Sequence, residues 1–288
     1  MSQFEERFFE TDDGLKLYCR DYAAQTPSAA TVVCLHGLSR NSRDFQDLAP
    51  VLNQHFRVLV PEQRGRGRSA YDTLPSRYNL MQYVYDTYAM LVAFQCERVS
   101  VVGTSMGGLM TFALNALYPQ LIPRAIINDI GPDIAAAGLE RIQSYVGVAG
   151  PFDNWDQATA YVRSISQSIF PDWQPAQWAA FARQCYVEQN NQIIADYDPK
   201  IGEALSQQDT GAESSALWSL FETLRDVPLL LIRGALTDLL SEACVQAMQD
   251  RAKRLELLTV PNVGHAPMLT EAEVPEAIMA FLTPVSYT

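Results

Sequence analysis

The sequence predicts an α/β fold with a mostly parallel mixed sheet, helices on both faces and an inserted helical block. Three observations predict it: apolar strands that alternate with helical stretches, a hairpin at the start, and a long helical interruption after residue 133. Apolar runs without polar alternation occur at residues 31–35, 57–60, 99–102, 125–127, 229–232 and 255–260. Such runs, when helices separate them, are typical of parallel strands that are covered on both faces.

The start of the chain predicts an antiparallel pair, which makes the sheet mixed. Two strand-like runs, residues 4–9 and 15–22, are joined by Asp12-Asp13-Gly14, a series that favours a hairpin turn. Helical patterns occur between or after the apolar runs, at residues 45–53, 81–94, 109–117, 241–251 and 274–282.

A helical segment rich in aromatic residues interrupts the alternation. Residues 134–225 show amphipathic helical patterns and contain all four tryptophans. Because strand–helix alternation resumes afterwards, we interpret the segment as an insertion above the sheet, and its tryptophans suit a lid with an apolar lining. The predicted organisation is a core of residues 1–133 and 226–288 with a helical lid at residues 134–225.

Composition and charge exclude several classes of partner. The 288 residues carry a net charge of −12, which would repel nucleic acid and anionic membranes. No apolar window approaches the ~20 residues that span a bilayer, and the start lacks the basic and apolar regions of a secretory signal. The five cysteines are scattered, and no His/Cys cluster has metal-site spacing. We expect a cytoplasmic protein without metal or cofactor, acting on a small molecule; the oligomeric state is left open.

The strongest chemical motif is Gly103-Thr104-Ser105-Met106-Gly107, which matches G-x-S-x-G. An apolar strand leads into it and a helical stretch leads out, which is the context that a nucleophile elbow requires. In that context the serine hydroxyl is exposed at the edge of the sheet, and the helix N-terminus favours the negative charge of an oxyanion. Ser105 is therefore the candidate nucleophile.

A serine nucleophile needs a base, and the chain has three histidines. His55 lies in a connection before a strand and is interpreted as a solvated loop residue. His36 directly follows a strand, where its ring would hold the loop in place. His265 follows the last strand in Gly264-His265-Ala266-Pro267, a loop that can return to the sheet edge, and is the candidate base.

Two aspartates compete for the role of the acid that orients the base. Asp238 lies in the loop after the strand at residues 229–232, and Asp129 directly follows the strand at residues 125–127. Both positions fall between the serine and the histidine in sequence, as this elbow chemistry requires. We favour Asp238, because its loop is long enough to curve toward His265, whereas Asp129 leads into Gly131-Pro132.

Several motifs together resemble the α/β-hydrolase superfamily, specifically its lid-bearing branch. They are His36-Gly37, Arg64-Gly65-Arg66-Gly67-Arg68-Ser69, Gly103 to Gly108, Arg233-Gly234 with Asp238, and Gly264-His265. The resemblance spans nearly the whole chain and implies the α/β-hydrolase fold. It also implies an oxyanion hole made by the backbone N–H groups of Leu38 and Met106.

The sequence departs from the family pattern at two places. Glu62 and Gln63 stand before Arg64 where many relatives carry an aspartate, so hydrogen bonding near the sheet is expected to differ. Ala266 and Pro267 follow the histidine where carbon–carbon bond hydrolases of the family usually carry a bulky aromatic. This departure weakens the hypothesis of carbon–carbon bond hydrolysis but leaves it open as an alternative.

The expected activity is that of a serine esterase or lactonase acting through an acyl-enzyme on a small to medium, apolar substrate. One alternative is a carbon–carbon bond hydrolase for a meta-cleavage type diketone, in which Arg141, Arg163 or Arg183 would hold a carboxylate. Another, from a different class, is a ligand receptor that retains the triad and uses its lid as a switch.

Overall fold

The structure is a computed structural model that describes residues 4–26, 29–206 and 210–283. Residues 1–3, 27–28 and 284–288 of the predicted core, and residues 207–209 of the predicted lid, lie outside the described residues. No helix in the described ranges is both long and apolar enough to cross a membrane.

The strands form an eight-stranded mixed sheet, as the sequence predicts, and a separate hairpin. The strands are β1 Glu5–Glu10, β2 Lys16–Tyr22, β3 Thr31–Leu35, β4 Arg57–Pro61, β5 Val99–Thr104, β6 Ala125–Asn128, β7 Tyr186–Gln189, β8 Gln192–Ala195, β9 Leu229–Gly234 and β10 Leu255–Val260. The order in the large sheet is β1-β2-β4-β3-β5-β6-β9-β10. Strand β2 pairs antiparallel with both β1 and β4, and the other pairs are parallel. The predicted mixed sheet is confirmed.

Helices cover both faces of this sheet. They are α1 Ala49–Leu52, α2 Leu80–Ala93, α3 Met106–Leu117, α4 Ala136–Tyr145, α5 Trp155–Ser166, α6 Pro175–Cys185, α7 Lys200–Ser206, α8 Thr210–Glu222, α9 Glu242–Arg251 and α10 Val274–Leu282. Two buried apolar clusters result: Met90 and Phe112 belong to one, and Phe45, Ile278 and Phe281 belong to the other. The helix predicted at residues 45–53 is shorter in the structure, where it spans Ala49–Leu52. A 3₁₀ turn at Ser42–Phe45 precedes it.

The segment between β6 and β9 is less uniformly helical than the sequence pattern indicates. It holds α4 to α8, but also the hairpin of β7 and β8, which the sequence analysis missed. Asn190 and Asn191 form its turn with φ of 51° and 61°, the conformation of a type I′ hairpin turn. The end of the segment packs on the core, where Phe221 of α8 contacts Phe112 edge to face at 5.4 Å.

A buried arginine joins three parts of the chain beneath the sheet edge. Arg64 is fully buried and donates to Asp86 at 2.6 Å, to Asp72 at 2.6 Å and to Asp13 at 2.9 Å. The hydrogen bond from Arg64 lowers the pKa of Asp13 to about 2. Because the carboxylates of Asp72 and Asp86 are themselves buried, they depend on this guanidinium for compensation of their charge.

We expect Arg64→Met to lower the free energy of unfolding by about 3–5 kcal/mol, because it removes the cation that contacts the buried carboxylate of Asp86 and leaves Asp72 with the exposed Arg77 at 3.8 Å. Arg77→Met is the matched control: Arg77 also contacts Asp13, at 3.1 Å, but its side chain is 42% exposed. Exposed pairs contribute about 1 kcal/mol at most. Urea unfolding of both variants measures the difference, and equal losses would contradict the role assigned to Arg64.

Candidate active site

Ser105 lies at a sharp turn between β5 and α3. Its backbone has φ of 53° and ψ of −116°, a strained conformation for a residue other than glycine, and its N–H donates to Asn128 at 3.0 Å. Backbone packs closely around the turn: a Cβ on Gly107 would lie 2.2 Å from the carbonyl oxygen of Leu35. The small residue at this position therefore lets the turn lie against β3, with the serine at the carboxyl edge of the sheet.

Ser105, His265 and Asp129 form a continuous series of hydrogen bonds. The distance from Ser105 Oγ to His265 Nε2 is 2.9 Å, and that from His265 Nδ1 to Asp129 Oδ2 is 3.0 Å. A carboxylate only accepts hydrogen bonds, so Nδ1 carries the proton and the lone pair of Nε2 faces the serine. The second carboxylate oxygen of Asp129 accepts from the N–H of Gly234 at 2.9 Å. Asp129 is fully buried, and this contact holds its orientation.

The prediction that Asp238 hydrogen-bonds to His265 is wrong. The carboxylate of Asp238 instead accepts two hydrogen bonds from Arg141 of α4, one from Nε at 2.6 Å and one from Nη2 at 2.9 Å. Strand β6 pairs with β5, whereas β9 lies one strand farther from the serine. A carboxylate directly after β6 is therefore adjacent to the nucleophile without a long loop. The feature of the sequence that identifies the partner of His265 is the position of Asp129 directly after its strand. The length of the loop that carries Asp238 was the wrong criterion for this choice.

The loop that carries His265 approaches the sheet through a glycine. A Cβ on Gly234 would lie 2.5 Å from the carbonyl oxygen of Val263 and 2.6 Å from that of Gly264. Gly264 in turn donates to the carbonyl of Ile169, in the segment between β6 and β9, at 2.8 Å. The histidine is thus held between the end of β9 and the inserted segment.

Leu38 and Met106, whose amides are predicted to form an oxyanion hole, line a cavity together with Ser105. Among the described residues, neither the N–H of Leu38 nor that of Met106 donates to a backbone or side-chain oxygen. The carbonyl of Leu38 accepts from Arg66 Nε at 2.9 Å. Arg66 is fully buried, forms no ion pair within the described ranges and lies over the ring of Tyr83 at 4.5 Å. The contact of Arg66 with the Leu38 loop was not predicted from the sequence.

His36 holds the same loop from below. Its Nδ1–H donates to the carbonyl of Gly37 at 2.7 Å, and its Nε2 accepts from the N–H of Gln63 at 3.1 Å. Burial, with a smaller contribution from the charge of Arg66, lowers the pKa of His36 to about 3. The ring is therefore neutral at pH 7. The structural role expected for His36 agrees with these contacts.

Glu62, one of the two residues that stand where many relatives carry an aspartate, joins two loops of the structure. Its carboxylate is buried and accepts from Ser42 Oγ at 2.6 Å and from the N–H of Arg68 at 2.6 Å. A Cβ on Gly67 would lie 2.2 Å from the same carboxylate. Glu62 thus ties the loop after β3 to the loop after β4, next to the candidate site.

Two cavities meet at Ser105. The first, of about 130 Å³, is lined by His265, by the charged residues Arg40 and Asp44, and by aliphatic and aromatic residues, of which Phe170, Phe181 and Tyr186 belong to the inserted segment. The second, of about 230 Å³, is lined by aliphatic residues of α3, α4, α7 and α8. The inserted segment therefore contributes walls to both cavities.

This geometry can be compared with known proteins. A model of the alpha/beta hydrolase family matches residues 32–280. The chain belongs to the alpha/beta hydrolase family. The resemblance found in its motifs and the implied fold are thereby confirmed.

This alpha/beta hydrolase resembles relatives over most of its length. It is 34% identical over 247 residues to a 3-hydroxybutyrate-oligomer hydrolase from Cupriavidus necator, which covers 83% of this chain and 84% of that protein. It is 24% identical over 243 residues to a 2-(acetamidomethylene)succinate hydrolase from Mesorhizobium japonicum, with 83% and 82% covered. A crystal structure of an alpha/beta hydrolase from Novosphingobium aromaticivorans matches with a TM-score of 0.91 and 40% identity, covering 98% of each chain.

The low pKa of His36 predicts a pH dependence of stability. Its folded-state pKa of about 3 lies below the ordinary value of 6.5, so the unfolded chain binds a proton at a pH where the folded chain does not. Stability from this group is present above pH ~6.5 and is lost as the pH falls toward ~3, by up to about 1.4 kcal/mol per pH unit.

Denaturant unfolding between pH 4 and 8 tests this expectation. His36→Gln removes the titration, so its free energy of unfolding should fall less steeply than that of the wild type below pH ~6.5. His55→Gln, on the exposed surface, is the matched control. Parallel curves for the wild type and His36→Gln would contradict the assignment.

Proposed function

We propose that this alpha/beta hydrolase cleaves carboxylic esters through an acyl-enzyme formed on Ser105. The observation that carries the proposal is the hydrogen-bond series from Ser105 through His265 to Asp129. It combines a nucleophile with a base within reach and a carboxylate that orients the base. The amides of Leu38 and Met106, which have no hydrogen-bond acceptor among the described residues, belong to residues that line a cavity with Ser105, and this supports the same chemistry.

In the first half-reaction, the Ser105 hydroxyl proton passes to His265 Nε2 while Oγ bonds to the ester carbonyl carbon. The carbonyl oxygen becomes an oxyanion, and the N–H groups of Leu38 and Met106 donate to it. When the intermediate collapses, the bond to the alcohol oxygen breaks, and the proton on Nε2 is transferred to that oxygen. Water repeats the sequence on the acyl-enzyme, releases the acid and returns the proton to Ser105.

Asp129 acts by fixing the proton on His265 Nδ1 and by stabilising the imidazolium that forms in each half-reaction. Its second oxygen is already occupied by the N–H of Gly234, so the carboxylate has one orientation for the ring. Asp238, bound by Arg141, has no part in this step.

For the substrate, we propose an ester of a short to medium, mainly apolar acid. The aromatic walls of the first cavity and the aliphatic walls of the second suit such groups. The relative from Cupriavidus necator is named for hydrolysis of 3-hydroxybutyrate oligomers, and it is similar over most of both chains. Oligomers of short hydroxy acids, which are esters with small acyl units, are therefore the first natural class to assay.

The carbon–carbon alternative receives no support from the arginines expected to hold its carboxylate. Arg141 is paired with Asp238, and Arg183 lies over the ring of Trp155 at 4.3 Å. Neither of them, nor Arg163, lines a cavity at Ser105. The ester proposal needs no such cation.

We further propose that the inserted segment at residues 134–225 acts as a lid. The part from α4 to β8 supports this role, since Tyr145, Phe170 and Tyr186 share a cavity with Ser105. The last helix, α8, packs against α3 and serves instead as an anchor to the core.

The five unpaired thiols suit action in the reducing cytoplasm.

We expect Ser105→Ala to lower kcat/KM for p-nitrophenyl butyrate by at least about 10⁴-fold. The melting temperature should change little, because the hydroxyl makes one hydrogen bond, to His265, within the described part of the chain. Ser39→Ala, in the same cavity but without a base, is the matched control and should retain activity. A fluorophosphonate probe should label Ser105 in the wild type and in Ser39→Ala. Labelling of Ser105→Ala, or binding of a ligand with only a single turnover, would argue for a different function.

Asp129→Asn should lower kcat by several orders of magnitude, on the order of 10⁴-fold in the serine-protease template, because an amide stabilises the wrong tautomer of His265. Asp238→Asn should change kcat less than about threefold, since that carboxylate faces Arg141. Steady-state kinetics on one ester compare the two aspartates directly. A reversed pattern would show that Asp238 reaches His265 during turnover.

A further inference from the structure

We propose that the two cavities at Ser105 divide an ester between them, the second taking the acyl chain and the first taking the alcohol. This inference rests on the proposed esterase function and adds a specificity to it. Ser105 and Leu38 line both cavities. His265 lines only the first of them, and Met106 lines only the second.

The assignment follows from the four groups around the carbon in the tetrahedral intermediate. One is Ser105 Oγ, and a second is the oxyanion, which points to the amides of Leu38 and Met106. A third, the leaving oxygen, must lie within hydrogen-bond distance of His265 Nε2 to receive its proton. The alcohol therefore leaves through the cavity that His265 lines, and the acyl substituent is directed to the other side of the serine.

The second cavity has the walls and the size for an aliphatic chain. Its lining includes Leu109, Ile134, Ile201, Leu205 and Leu217. Its volume of about 230 Å³ exceeds the ~150 Å³ of an apolar protein cavity that binds benzene. An acyl chain of about six carbons therefore fits. Each methylene that enters such a site should raise kcat/KM by about fourfold.

The polar end of the second cavity defines which acyl chains are disfavoured. Asp133 lines it, and its carboxylate accepts from the indole N–H of Trp218 at 2.9 Å and from the hydroxyl of Ser214. A second carboxylate brought to this position by the substrate would be repelled. Because Asp133 is exposed, solvent screens part of this repulsion, and the remainder adds to the cost of moving a carboxylate among aliphatic side chains. A hexanoate is therefore favoured over a half-ester of a dicarboxylic acid of the same length.

Two substrate series separate the cavities. In the first, p-nitrophenyl esters from acetate to octanoate vary the acyl chain with one alcohol, and the half-ester of adipic acid carries the additional carboxylate. In the second, hexanoates of methanol, benzyl alcohol and naphthylmethanol vary the alcohol with one acyl chain. For the wild type we expect kcat/KM to rise on the order of a hundredfold from acetate to hexanoate and to fall for the half-ester.

Tryptophan substitutions fill one cavity at a time. Leu205→Trp and Ile134→Trp, on different walls of the second cavity, should lower the hexanoate-to-acetate ratio of kcat/KM at least tenfold and leave the benzyl-to-methyl ratio within twofold. Ile165→Trp, in the first cavity, is the matched counterpart and should do the reverse. Melting temperatures identify a variant that does not fold. If either Leu205→Trp or Ile134→Trp fails to fold, the other still tests the second cavity.

The proposal is overturned if Leu205→Trp and Ile134→Trp change the alcohol ratio instead of the acyl ratio, or change neither. Failure of the esterase function would look different. In that case the wild type would hydrolyse no ester of either series, whatever its acyl chain or alcohol. A wild type that cleaves the esters with no preference for chain length would contradict the cavity assignment alone.

Discussion

The arrangement of the site depends on one buried carboxylate at the end of β6. Asp129 has one oxygen on the backbone of β9 and the other on the ring of His265, so it joins two strands and the histidine loop. Its own N–H donates to Ile232 of β9 at 2.8 Å. Because strands β6 and β9 pair in the central sheet, the histidine is positioned by regular secondary structure, as a site built for one geometry requires.

The opposite side of Ser105 depends on buried groups of a different kind. Arg66 donates a hydrogen bond to the carbonyl of Leu38. The neutral ring of His36 donates one to the carbonyl of Gly37, the residue before Leu38. Arg66 has no ionic partner among the residues that the structure describes, and burying such a guanidinium is costly. Its hydrogen bonds to carbonyl oxygens and its contact with Tyr83 offset part of that cost. The two sides of the site are thus held by different buried groups.

The fold and two of the three hydrogen-bonded side chains could be predicted from the sequence. Apolar strands and the turn around Ser105 leave local signals, so the strand positions and the fold class agree with the structure. The choice between Asp129 and Asp238 depends on which strand neighbours β5, a non-local property that loop length does not report. The hairpin at β7 and β8 was missed because its short strands lie within a helical context and are signalled mainly by Asn190-Asn191.

The pair of Arg141 and Asp238 links the first helix of the inserted segment to the loop after β9. The side chain of Asp238 is 35% exposed, so mobile counterions reach this contact, whereas they do not reach the fully buried Asp129. Rising ionic strength therefore weakens this ion pair while the bond between Asp129 and His265 persists. The backbone hydrogen bonds from Ala135 to Leu239 and from Gly138 to Asp238 hold the start of α4 independently of salt. Salt concentration is thus expected to act on the side-chain contact of α4 before it acts on the hydrogen bonds among Ser105, His265 and Asp129.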